Sequence, residues 1–196
     1  MKKIVGIIPS TLGFDADNPF DDKYYVQNSY IEKIDNYAIP IILAPINLKL
    51  TKEQLDICDA FLIIGGKKVH KYHFEVIEYA IKTNKKLLGI CLGMQAIGMY
   101  SNNDYEEKTL KKINKHNNKK HYIDIKHDTL LKKFFSQKIK VNSYHNYALK
   151  YVTEPFVISA SYKDIIEAIE YKNTIGVQFH PELMNNTDKL FKWLIQ

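Results

Sequence analysis

The feature that most constrains this chain is the alternation, through its first hundred residues, of short apolar runs with longer amphipathic stretches. Ile4–Ile8, Ile39–Leu43, Ala60–Ile64 and Lys86–Ile90 are short apolar runs, three of them closed by Pro9, Pro45 and Gly65-Gly66. Runs this short and this apolar read as strands buried on both faces. Between them, Tyr24–Tyr37 carries Tyr30, Ile31, Ile34 and Tyr37 at helical spacing. Thr51-Lys52-Glu53-Gln54 has the pattern of a helix-opening capping box. Phe74, Ile77 and Ile81 continue a helix that ends near Asn84, and another helix is expected from about Leu92 to Tyr100. Strands alternating with helices predict crossover units, and so an α/β fold with a mostly parallel central sheet and helices on both faces.

The second half reads as β-rich. Ser101–Lys120, rich in Asn, Lys and Glu without a sustained apolar period, is expected to be an exposed connection with at most one helical turn. His121–His127 and Lys138–Ser143 alternate, Pro155–Ala160, Ile165–Tyr171 and Thr174–Phe179 are closely spaced strands, and Asp188–Leu194 is a final helix. No internal repeat interrupts the pattern, and residues 1–196 read as a single domain.

Composition excludes several functions. The net charge is +6, yet all 28 basic residues are lysine. Without arginine the chain lacks the fork that reads guanine and grips phosphate, which argues against a nucleic-acid partner. No apolar run approaches the ~20 residues of a membrane span. The basic, then apolar start ends at Pro9 with no small-residue cleavage site, so it is expected to be a strand in a cytoplasmic protein. In that setting Cys58 and Cys91 are expected to be one buried and one reactive thiol rather than a disulfide. His116, His121 and His127, or His70 with His73, match no zinc spacing and are expected to be solvated or strand-surface residues, so no metal is expected.

The chemistry concentrates at Leu88-Gly89-Ile90-Cys91-Leu92-Gly93-Met94-Gln95. A buried strand runs directly into a helix, with glycines two residues either side of a cysteine. This is the pattern of a nucleophile elbow, whose sharp turn tolerates little beyond glycine at its flanks. It lifts a thiol above the carboxyl end of the sheet, where the positive helix end favours thiolate. The same segment also suits a cysteine packed as a small hydrophobe in a glycine-rich core. Ile175-Gly176-Val177-Gln178-Phe179-His180-Pro181-Glu182 supplies possible partners. His180 can move a proton, and Glu182, two residues on in extended chain, points to the same side and can orient the ring.

With these motifs together, the chain resembles the class I glutamine amidotransferase superfamily, and within it the γ-glutamyl hydrolases that include γ-glutamyl-γ-aminobutyrate hydrolase. Val141-Asn142-Ser143-Tyr144-His145, Ile166-Glu167-Ala168-Ile169-Glu170 and Ile63-Ile64-Gly65-Gly66 carry the closer likeness. The resemblance implies a flavodoxin-like sheet, Cys91 as nucleophile toward a γ-glutamyl amide, His180 as base and then acid, and Glu182 as its orienting carboxylate. It implies an oxyanion hole from the backbone of Leu92 with Gly65 or Gly66. Substrate contacts are expected at Gln95, Asn142, Ser143, Tyr144 and His145, with no cofactor. The family pattern is broken at Lys67-Lys68-Val69-His70-Lys71-Tyr72, at Ser101-Asn102-Asn103-Asp104 and at Asn146. Those departures leave the leaving amine open, and Lys67, Lys68 and Lys71 suit either an anionic leaving group or a solvated face. The leading expectation is a hydrolase of γ-glutamyl amides acting on a small-molecule substrate. A glutaminase subunit serving a separate synthase, and an inactive binding module of the same fold, are the alternatives.

Overall fold

The computed structural model describes residues 2–13 and 22–196. In chain order the elements are β1 (Ile4–Ile8), β2 (Ser10–Leu12), β3 (Lys23–Tyr25), α1 (Asn28–Asp35), β4 (Ile39–Ile42), α2 (Lys52–Asp56), β5 (Ala60–Ile63), α3 (Lys71–Thr83), β6 (Lys86–Ile90) and α4 (Leu92–Ser101). There follow β7 (Leu110–Lys112), β8 (Lys119–Ile125), α5 (Leu130–Phe134), β9 (Lys138–Ser143), β10 (Tyr147–Leu149), β11 (Val157–Tyr162), β12 (Ile165–Tyr171), β13 (Thr174–Val177) and α6 (Asp188–Leu194), with a 3-10 turn at Pro181–Leu183 before α6.

Among the described residues the main sheet has nine strands in the order β4-β1-β5-β6-β13-β12-β11-β8-β9. The first five run parallel, Val5 opposite Ala60, Leu62 opposite Leu88 and Val177 opposite Ile90. From β13 outward every pairing is antiparallel. The first half thus forms crossover units and the second half forms the strand-rich extension. Tyr30, Ile34, Leu190, Phe191 and Trp193 pack one face from α1 and α6. Tyr72, Val76, Ile77, Met94 and Ile97 pack the other from α3 and α4. The fold is therefore the α/β, mostly parallel, two-faced architecture that the alternation predicted.

Local signals set the helix ends. Thr51 caps α2, with Gln54 returning a bond to the Thr51 backbone as in a capping box. α3 stops at Asn84, which takes a left-handed conformation with φ 56°. The buried Glu170 carboxylate accepts the Leu130 and Leu131 N–H groups, capping α5 from β12.

Three expectations need correction. Ile39–Leu43 is not buried on both faces: β4 is the sheet's edge strand, and Ile39 and Ile42 are exposed because no further strand or helix covers that edge among the described residues. Tyr24–Tyr37 is not one helix: Lys23–Tyr25 pairs with β2 and the helix starts only at Asn28. Ser101–Lys120 is not merely an exposed connection. Leu110–Lys112 pairs with β10, and the buried Asp104 carboxylate accepts the Thr109 N–H and hydroxyl at 2.7 Å. The polar composition hid a strand whose partner lies 35 or more residues away. No helix among the described residues is long and apolar enough to cross a membrane.

Candidate active site

Cys91 stands between β6 and α4 with φ 53° and ψ −101°, outside the conformations that L side chains favour. The surroundings hold it there. Its N–H donates to the Val177 carbonyl at 2.8 Å, and its carbonyl accepts the Gln95 N–H at 3.1 Å. The flanking glycines permit the turn by close approach. A Cβ on Gly93 would lie 2.3 Å from the Ile63 carbonyl oxygen, and one on Gly89 would lie 2.7 Å from the Gly93 backbone. Strained backbone at a strand-to-helix junction is the signature of a side chain kept for chemistry. Cys58 differs: it is a free thiol against the Gln54 carbonyl, and burial pushes it up to about 11.

The structure brings His180 and Glu182 to Cys91. His180 Nδ1–H donates to Glu182 Oε1 at 2.6 Å, and the Cys91 side chain is near enough to act on the imidazole's proton affinity. Burial pulls the His180 pKa down, but the Cys91 and Glu182 side chains outweigh it and raise it to about 10.

Sequence reasoning missed Tyr30, which α1 buries beneath this group. Its hydroxyl accepts the Gly65 N–H at 3.1 Å and lies 3.3 Å from His180 Nδ1. Burial first, then the Glu182 charge, hold the phenol well above its ordinary pKa. Tyr30 thus links the Gly65–Gly66 loop to the histidine. Because Gly65 N–H is engaged, Gly66 and the first residue of α4, Leu92, are left to offer loop and helix amides. Tyr30 lies 150 residues from His180, and its helical spacing marked it only as core.

The other expected site residues divide. Asn142 clamps the His180 backbone: its Nδ2–H donates to the His180 carbonyl at 2.9 Å and its Oδ1 accepts the His180 N–H at 2.8 Å. Tyr144 is half exposed with its ring edge-on to His180 at 5.9 Å. Gln95 is buried and donates to the Tyr147 carbonyl and Gln178 Oε1. Ser143 is fully buried. His145 turns inward, donating from Nδ1 to the Tyr147 carbonyl, and burial lowers its pKa to about 4. Lys67, Lys68 and Lys71 are exposed.

The histidines expected at the surface are mostly inside. His70, His73 and His116 are buried, as is the ring of His121, while His127 is exposed. Burial drives His73 down to about 3. Their spacing gave no hint because the partners come from distant strands: His116 and His121 both reach Glu167 of β12.

Comparisons with known proteins bear on the family and the fold. YvdE of Lactococcus lactis, named as a glutamine amidotransferase-like protein, is 24% identical over 98% of this chain and 96% of its own length. The γ-glutamyl-CDP-amidate hydrolase of Campylobacter jejuni is 33% identical over 65% of this chain and 60% of its own. The glutaminase domain of Trypanosoma brucei CTPS, solved with bound acivicin, superposes with a TM-score of 0.71 at 16% identity, covering 98% of this chain and 91% of that one. The family model described as Peptidase C26 matches residues 70–182, more than half the chain and the span from the α3 entrance through the elbow to Glu182. With the fold of a glutaminase domain and that match across the elbow and its histidine, the chain belongs to the Peptidase C26 family.

Proposed function

We propose that this chain is a cysteine hydrolase that cleaves γ-glutamyl amide bonds through a glutamyl thioester. The observation that carries the reading is Cys91, held at φ 53° on the same side of the Gly65 loop as a histidine that is itself bonded to Glu182 at 2.6 Å. The Campylobacter relative, named for hydrolysis of a γ-glutamyl amidate, supports the bond class.

In this reading the proton rests on His180 before substrate arrives, and the Cys91 sulfur attacks the γ-carbonyl carbon. The carbonyl oxygen becomes an oxyanion facing the amides of Leu92 and Gly66. Loss of one such donor typically costs ~10²–10³ in rate. His180 then gives its proton to the departing amine as the C–N bond breaks and the thioester forms. Water attacks the thioester, His180 takes its proton, and glutamate leaves. Glu182 keeps the ring oriented and compensates the imidazolium. Asn142 fixes the backbone from which the ring hangs.

The test is glutamate release by the purified protein from glutamine, γ-glutamyl-aminobutyrate, γ-glutamyl dipeptides and a γ-glutamyl phosphoramide. Cys91→Ala is the control. Release from a γ-glutamyl amide other than glutamine, abolished in Cys91→Ala, is the expected result. Activity on glutamine alone, or only with a synthase added, replaces this reading with that of an ammonia-delivering glutaminase subunit. Full turnover by Cys91→Ala refutes the nucleophile.

A further inference from the structure

Four polar side chains meet in the interior near the candidate active site and have no part in the proposed reaction. Glu167 of β12 is fully buried. Its Oε1 accepts from His116 Nε2 at 3.1 Å and from His121 Nε2 at 3.0 Å. Its other oxygen, Oε2, is buried without a hydrogen-bond partner among the described residues. His145, only 4% exposed, faces the same group. A carbonyl can only accept, so the 3.0 Å bond to Tyr147 O puts the His145 proton on Nδ1. Nε2 is then a bare lone pair, also buried and without a partner among the described residues. The His116 ring lies edge-on to His145 with centroids 4.8 Å apart. Ligand-type atoms of His116, His145 and Glu167 all lie within 4.8 Å of one another.

Acceptors buried together need a donor or a cation between them. Two imidazole nitrogens and one carboxylate oxygen form a donor set that suits zinc-class dications, whereas magnesium and calcium prefer oxygen alone. The surrounding bonds fit as well. A ligating histidine ordinarily donates its other N–H to a backbone carbonyl, and a ligating carboxylate is itself hydrogen-bonded. His145 on Tyr147 O and His121 on Glu167 Oε1 supply those two bonds.

We propose that His116, His145 and Glu167 form a binding site for one zinc-class divalent cation, with His121 orienting the carboxylate. The ion is held by Glu167 Oε2, His145 Nε2 and His116 Nε2. The Nε2 proton of His116 is released to solvent on binding, and water takes the fourth position. Bonds of about 2.0–2.2 Å place neighbouring ligand atoms about 3.3–3.5 Å apart, so the side chains close in by about 1 Å. His116 lies between β7 and β8, outside either strand, where it can follow. The ion ties that connection to β12 and to the turn whose Tyr147 carbonyl receives Gln95. None of its ligands has a step in the proposed reaction, and His145, expected from the sequence at the glutamyl end of the substrate, is buried in this cluster instead.

The test loads the chelator-stripped chain with Zn²⁺ or Co²⁺, removes excess ion and measures metal per chain. The expected result is one retained equivalent. The Co²⁺ form should show the d–d bands of a tetrahedral nitrogen/oxygen site with no sulfur-to-cobalt charge transfer, unchanged in Cys91→Ala. Glu167→Gln and His145→Gln, with folding checked by circular dichroism, should weaken binding at least about 10–100-fold. If Glu167→Gln fails to fold, His116→Gln decides the same point. Three results overturn the proposal: no retained metal, equal affinity in the variants, or a charge-transfer band that vanishes in Cys91→Ala. The acceptors then hold a buried water instead.

Discussion

Gly93→Ala tests whether the elbow geometry governs turnover. The new Cβ would sit 2.3 Å from the Ile63 carbonyl oxygen and 3.0 Å from its carbonyl carbon. Both are backbone atoms of β5, so no side chain can swing aside. Restoring ordinary contact requires α4 and β5 to part by about 1 Å, with an overpacking cost of about 1–3 kcal/mol. Alanine recovers up to about 1 kcal/mol of helix propensity over glycine. The net loss of about 0–2 kcal/mol lowers Tm by at most roughly 8 °C at about 2–4 °C per kcal/mol for a chain this size. Turnover should suffer more. Cys91 precedes Gly93 by two residues, and Ile63 precedes the Gly65–Gly66 loop by two. The parting therefore separates the sulfur from the loop amide, and a misplacement near 1 Å costs about 10²-fold. Gly98→Ala is the control. The atoms nearest its Cβ all belong to the Leu149 side chain, at 2.2–2.9 Å, so the strain falls on a side chain and not on the β5 backbone. The assay is steady-state glutamate release beside thermal unfolding of both variants. Wild-type kcat/KM in Gly93→Ala, or equal loss of activity in both, would refute the reasoning.

Asn142→Ala removes both side-chain bonds to the His180 backbone and should destabilise the protein by about 2–6 kcal/mol, since each orphaned group costs about 1–3; calorimetry showing a change under about 1 kcal/mol would argue against the clamp. Tyr30→Phe leaves the Gly65 N–H without its acceptor. Its cost should be about 1–3 kcal/mol, with kcat falling more than KM rises; unchanged kcat would remove Tyr30 from the site's support. For His180, raised from 6.5 to about 10, the imidazolium should persist in the folded protein as pH climbs past 6.5 and disappear only near 10. Ring nitrogen NMR reads this directly, and Cys91→Ala should bring the transition down because one of the raising partners is gone. A transition near 6.5 in the wild-type protein would contradict the hydrogen-bonded pair.

Much of the arrangement is legible along the chain because it depends on local period and spacing. Apolar runs of four or five residues form β1, β5 and β6, where burial on both faces suits such runs, while the similar run at β4 ends as the sheet's edge strand with Ile39 and Ile42 exposed. The glycine-flanked Cys91 likewise announces its turn within a few residues, whereas Glu182 meets His180 through the 3-10 turn at Pro181–Leu183 and not through the extended chain expected there. The short strand Lys23–Tyr25 was absorbed into a helix because Tyr24 and Tyr25 continue an apolar pattern that propensity alone cannot divide. Leu110–Lys112 escaped notice because its polar residues become a strand only through pairing with β10.

What the amino-acid order determined by itself, then, is the α/β alternation and the identity of the residues at the elbow and the late histidine. Tertiary structure alone decided which side chains support them. Tyr30 reaches His180 across 150 positions, Asn142 across 38, and Glu167 collects His116 and His121 from 51 and 46 positions away. A polar residue on a strand reads as solvated until its partner is known. Only the packed interior, where water is excluded and each buried polar group needs a partner, turns that residue into a clamp, a link or a ligand.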